Sequence, residues 1–119
     1  MKQNITCTIK DVINLLKEKY LKEGEQALYN DYDWHMYVAD GEWFLTTACC
    51  ITAPPTFDEE TDEEIIPNFA VANGMDGSVV PEILQDVIIN ALSQKKSATN
   101  EELLKALNYY MDKDTFMLF

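Results

Sequence analysis

Trp34-His35-Met36-Tyr37-Val38-Ala39, then Asp40-Gly41, then Glu42-Trp43-Phe44-Leu45-Thr46-Thr47-Ala48-Cys49-Cys50-Ile51-Thr52 is the stretch on which the fold turns. Aromatic and β-branched residues crowd both sides of Asp40-Gly41. Glycine there accepts the positive φ of a tight turn, so the segment predicts a two-stranded β-hairpin. Strand alternation would put Trp43, Leu45, Thr47 and Cys49 on one face and Phe44, Thr46, Ala48 and Cys50 on the other, so both faces are expected to be covered. Pro54-Pro55 ends the hairpin, because proline donates no ladder hydrogen bond.

Upstream, Thr8 reads as an N-cap with Asp11 three residues on. Ile9, Val12, Ile13, Leu16 and Tyr20 then recur at helical spacing until Gly24, with Lys10, Lys17 and Lys22 near the solvent side. Downstream, Pro67 can start a short helix through Phe69, Val71 and Ala72 that stops at Gly74. Met75-Asp76-Gly77-Ser78 reads as a turn, with Ser78 as cap of a helix whose buried face is Ile83, Leu84, Val87, Ile88 and Ala91. Lys95-Lys96 sits where cations favour a helix C-terminus. Thr99 and Glu102 form a capping box for a last helix through Leu103, Leu104, Leu107 and Tyr110. The tail from Thr115 to Phe119 is too apolar to hang in water and is expected to pack, in the manner of an added strand. The fold class is therefore α+β: an N-terminal helix, a two-stranded hairpin, then three helices and an apolar tail packed on one side of a small sheet. A mostly α bundle is the alternative if residues 34–52 form no hairpin.

The 119 residues suit a single domain, and 47% apolar with 11% aromatic residues is the composition of a chain that folds. Its net charge of −12 is regional. From Glu23 to Gln94 there are fifteen Asp and Glu residues and no Lys or Arg. Such a surface repels nucleic acid and anionic membranes and attracts a basic partner at long range. All nine basic residues are lysines, so no arginine fork is present for phosphate readout. No export-type segment follows Met1 and no apolar stretch approaches a membrane span, which leads us to expect a cytoplasmic protein. Cys7, Cys49 and Cys50 form an odd set without Cys-x-x-Cys spacing, suiting reduced thiols. Asn4-Ile5-Thr6 fits a glycosylation pattern that has no meaning without export.

No catalytic motif rises above chance, and nothing singles out one carboxylate pair among the twenty-one acids. His35 is the sole histidine, so a dyad with Cys49 or Cys50 is the one imaginable nucleophile arrangement, against which stands the ordinary burial of free cysteine in a strand. One histidine and three scattered cysteines make no zinc site, and Asp31, Asp33, Asp40 and Glu42 miss the spacing of a calcium loop. Gly74-Met75-Asp76-Gly77 places an acid where a phosphate cradle needs none. We therefore expect no enzyme, no cofactor and no metal. The strongest candidate for function is Asp58-Glu59-Glu60-Thr61-Asp62-Glu63-Glu64, six acids in seven positions, expected as a loop or a helix-entry segment held extended or mobile by self-repulsion. A second candidate is Asp31, Tyr32 and Asp33, beside Trp34, Tyr37 and Trp43; acids placed around aromatics are a common interface composition, although these last three aromatics also suit a core.

Several elements in order carry a resemblance: Trp43, Thr47-Ala48-Cys49, Pro67-Asn68-Phe69-Ala70, Gln85-Asp86-Val87 with Asn90-Ala91, and Tyr109-Tyr110 with Asp114-Thr115-Phe116. Over residues 43–116 the chain resembles a bacterial family of small acidic domains, and with it the immunity proteins of contact-dependent growth inhibition and polymorphic toxin systems. It departs from the pattern at Thr46, where an acid is expected, and in its long first helix and dense acidic loop. The resemblance implies an interaction role. Together with the charge, it leads us to expect an immunity protein that blocks a cationic toxin, a nuclease above all, in a 1:1 complex. The alternative is a nucleic-acid mimic of phage origin that inhibits a host nucleic-acid-binding enzyme.

Overall fold

In the computed structural model, which describes residues 1–119, the central hairpin is the middle of a larger sheet. Its strands are β2 (His35–Val38) and β3 (Ala48–Thr52), with β1 (Ile5–Thr8) added outside β3 and β6 (Gly77–Val79) outside β2. The order is β1-β3-β2-β6, all antiparallel. A separate ribbon is made by β4 (Thr56–Phe57) and β5 (Glu64–Ile65). Five helices complete the α+β domain: α1 (Ile9–Glu23), α2 (Glu25–Tyr29), α3 (Asn68–Ala72), α4 (Pro81–Gln94) and α5 (Asn100–Lys113). No helix is long and apolar enough to cross a membrane.

The sheet's pleat divides the molecule. Met36, Val38, Cys49, Ile51 and Val79 point to the main core, where they meet Ile9, Val12, Ile13 and Leu16 of α1, Leu84, Val87 and Ile88 of α4, and Leu103 and Leu107 of α5. Tyr37 and Cys50, on the opposite face, are fully buried under Ala70 of α3 and Met75. Both faces are covered, as the composition of the hairpin implies. The α3 helix supplies the second cover, so the helices do not all lie on one side.

The local capping chemistry is as the sequence dictates. Thr8 and Asp11 exchange side chain-to-backbone hydrogen bonds at the start of α1, and Thr99 and Glu102 do so at α5. The hairpin itself differs from expectation. Asp40-Gly41 is not a tight turn, because the strands are joined by the long connection 39–47 and pairing runs only from His35↔Thr52 to Val38↔Cys49. The backbone of residues 43–47 is committed elsewhere. Thr47 and Leu45 carbonyls accept from the N–H groups of Ile9 and Lys10, the free donors in the first turn of α1, and the Trp43 carbonyl accepts from Asn108 Nδ2 on α5. The Thr47 hydroxyl accepts from the Phe44 N–H. With the carbonyls of Trp43, Leu45 and Thr47 taken by α1 and α5, these residues do not continue the ladder.

Two further expectations are corrected. Ser78 caps no helix; it lies inside β6, and α4 begins after Val80 with no side-chain cap and Pro81 at its first position. The tail adds no strand either. Nor is it packed away: it touches α4 and α5 through Phe116 on Tyr110, at 5.2 Å between ring centroids, and through Gln94, which donates from Nε2 to the Met117 carbonyl and accepts at Oε1 from the Phe119 N–H, but all of residues 115–119 except Met117 are exposed, Leu118 by 87%.

Candidate functional site

The acidic run is the turn of the β4–β5 ribbon. Phe57 pairs with Glu64 and Thr56 with Ile65, and the six residues between the strands close through Asp58 N–H to the Glu63 carbonyl (2.9 Å) and Asp62 N–H to the Asp58 carbonyl (3.0 Å). Asp58 is the organiser. Its Oδ1 accepts from the backbone N–H groups of Glu60 (2.8 Å) and Thr61 (3.0 Å), an arrangement that draws the turn tight and holds this carboxyl below the usual range because the N–H groups favour its charged form. Asp62 takes a positive φ of 59°, a conformation that aspartate tolerates better than most residues. The run is thus a hydrogen-bonded turn, not an extended chain, since local donors to Asp58 outcompete repulsion among its neighbours.

Every residue from Thr56 to Ile65 is exposed, and none of the six carboxylates makes an ion pair. Phe57, 60% exposed, stands among them. Beneath the ribbon lies a pocket of about 520 Å³ lined by His35, Pro54, Pro55, Phe57, Glu64, Ser78 and Val80. The β2–β6 register brings Ser78 to His35, whose Nδ1 lies 2.7 Å from the serine Oγ. Burial holds the histidine below its ordinary value, partly offset by Glu82 and Glu64. No third side chain hydrogen-bonds the other nitrogen of the ring. Sequence reading missed this contact, for which the signal was the β-branched pair Val79-Val80 after Gly77-Ser78, a strand ending in place of a helix cap.

The second candidate divides. Tyr32 (61% exposed) and Asp33 are at the surface, whereas Asp31 is half-buried and ion-paired with the Met1 amino group and with Lys19 at 3.2 Å. Burial opposes the charge of Asp31, but the two cations prevail and hold its carboxyl below the usual range. The chain enters β2 from residues 31–33 at the end of the sheet where β3 leaves toward the ribbon, since His35 pairs with Thr52. Both acidic candidates therefore belong to one end of the molecule. Trp34 and Tyr37 are core residues; the Trp34 indole N–H donates to the Asp31 carbonyl and the Tyr37 hydroxyl to the Ala53 carbonyl.

The three thiols differ in environment: the hydrogen bond with Cys49 lowers the half-buried Cys7 thiol, whereas its two neighbours in β3 are shielded. Cys49 and Cys50 are fully buried on opposite faces of β3; the hydrogen bond with Cys7 and burial push the Cys49 thiol up, and burial does the same to Cys50. Cys7 and Cys49 face each other across β1 and β3 with sulfurs 3.6 Å apart. No cluster of three or more His, Cys, Asp or Glu side chains is placed to hold a metal ion.

These features define a small antiparallel α+β domain that carries an acid-bearing ribbon at one end of its sheet. The family described as Domain of unknown function (DUF7716) matches residues 6–119, and the chain belongs to it. That description carries no tie to immunity proteins. No curated protein and no solved structure matches the chain. Of the residues that carried the resemblance, Gln85 is buried and donates to the Leu28 and Asp31 carbonyls, Asp86 accepts from the Tyr29 hydroxyl, Ala70 seats on Tyr37 and Cys50, and Asp114 ends α5 in a left-handed conformation.

Proposed function

We propose that this domain is an immunity protein that binds a cationic antibacterial toxin in the cytoplasm, in a 1:1 complex, and neutralises it by covering a basic substrate cleft of the kind a nuclease has. One observation carries this: six unpaired carboxylates stand on an ordered, fully exposed turn. A turn already fixed by Asp58 loses little entropy on binding, and each carboxylate that closely meets a lysine or arginine in an interface is worth on the order of 1.5 to 7 kcal/mol. Phe57 at the base of the turn supplies an apolar anchor, with Tyr32 and Asp33 at the same end of the sheet. Concentration of charge in one ribbon suits a local patch better than a lattice of phosphate-like intervals, which favours the immunity reading over nucleic-acid mimicry.

The test is co-purification with the product of the adjacent open reading frame, with protection of cells from that product as a second readout. Replacing the acids from Asp58 to Glu64 by Asn and Gln is expected to slow association at low salt and flatten its salt dependence while leaving the fold intact. Equal association of the neutralised protein would remove the ribbon from the interface.

A further inference from the structure

At the opposite end of the central hairpin lies a groove of about 890 Å³ between residues 41–44 and α5. Trp43, Phe44, Leu104, Tyr109, Met111 and Met117 make its apolar lining. Phe44 is 58% and Met111 48% exposed, so two large apolar side chains of the lining face solvent. The groove has a fixed frame, since Asn108 of α5 holds the Trp43 carbonyl and Thr47 holds the Phe44 N–H. Its rim carries Glu42, Glu101 and Asp112 against Lys105, with Asp112 also making an exposed pair to Lys113 at 3.5 Å.

We propose that this groove is a second docking surface, which takes a basic amphipathic segment of a partner protein: an apolar side chain seats between Phe44 and Met111, and lysines or arginines beside it meet Glu42, Glu101 and Asp112. Aromatic and methionine side chains are the residues that interfaces favour, being large, adaptable and cheap to order. The rim selects the charge. A second copy of the chain would bring a net charge of −12 against another −12, and an anionic bilayer would be repelled in the same way. The surface is separate from the acidic ribbon: β3 begins at Ala48 beside the groove and ends at Thr52 on the way to the ribbon, a span of roughly 15 Å for five strand residues. The proposal therefore stands whether or not the ribbon binds a toxin.

The two tryptophans provide the readout, because Trp43 lines the groove while Trp34 is buried with its indole N–H on the Asp31 carbonyl. The probe is a synthetic helical peptide with one leucine face and one lysine face, titrated into the full chain and followed by the two indole N–H resonances. The Trp43 signal is expected to move and the Trp34 signal to stay. Replacing Phe44→Ser together with Met111→Ser should weaken binding by at least about tenfold, as loss of an anchor does. At about 150 mM salt, where the screening length of roughly 8 Å is shorter than the distance to the ribbon, neutralising Asp58 to Glu64 should leave it within about twofold. Should the double variant fail to fold, Phe44→Ser alone serves. A still Trp43 signal, equal binding of a scrambled or a leucine–glutamate peptide, unchanged binding by the folded serine variant, or shifts that follow protein concentration alone, which would mean a second copy, would each overturn the proposal.

Discussion

His35 is held in the fold against its own charge. Burial lowers its proton affinity, whereas in the unfolded chain it takes up a proton near the ordinary 6.5. The unfolded state then binds more protons than the folded state between those two values, so stability is full above 6.5 and falls as pH drops through the window. Asp31 and Asp58 act lower: their folded values lie beneath 3.8, so the stability they contribute persists above 3.8 and is lost only in stronger acid. Urea unfolding of the protein and of His35→Gln between pH 7.5 and 5 should therefore show a shallower decline in the variant; parallel declines would mean that another group titrates there. Gly77 is a second single-residue constraint, since a Cβ at this position would sit 3.0 Å from the Val38 carbonyl oxygen. Gly77→Ala is expected to cost about 1–3 kcal/mol in denaturant unfolding, the range for forcing atoms into a filled site. Among the thiols, half-buried Cys7 should react first with an alkylating agent in the folded protein, and mass spectrometry should find Cys49 and Cys50 unmodified until the chain unfolds.

Elements whose ends are set by their own side chains were readable from the chain. Thr8 with Asp11 and Thr99 with Glu102 fix the first turns of α1 and α5 without help from distant residues. Loss of such a cap has a known scale: Thr99→Ala should lower stability by about 1 kcal/mol, measured as a drop in the denaturation midpoint with unchanged slope. Elements completed by distant partners were not readable. Four residues at Ile5–Thr8 and three at Gly77–Val79 carry too little alternation to announce a strand, and become strands because β3 and β2 offer them an edge. The aromatic run 42–47 misled for the same reason. Its residues have strand composition, but their backbone groups are taken by the N-terminus of α1 and by Asn108, contacts to chain segments 35 or more residues away. The candidate site divides along the same line. The acids of the ribbon stand out in composition, while the turn that orders them depends on Asp58 reaching two N–H groups, and the meeting of Ser78 with His35 depends wholly on sheet register.

At the scale of the molecule, charge opposes compactness. Fifteen acids without a base between Glu23 and Gln94 repel one another, and only Asp31 among them has a cation within ion-pair distance. Raising sodium chloride from about 10 mM to about 150 mM shortens the screening length from roughly 30 to roughly 8 Å, so thermal unfolding should move to higher temperature. The ribbon-neutralised protein should move less; an equal shift would place the repulsion elsewhere. Topology adds a constraint of a different kind. The first strand pairs with β3, and the apolar face of the first long helix is covered by α4 and α5, which lie in the last third of the chain. During synthesis Ile9, Val12, Ile13 and Leu16 therefore leave the ribosome early, and although β2 and β3 supply part of their cover, the rest arrives only when translation is nearly complete. At about 5–20 residues per second that wait lasts several seconds, long enough for a chaperone to visit and for a prematurely terminated chain to be recognised by its uncovered helix.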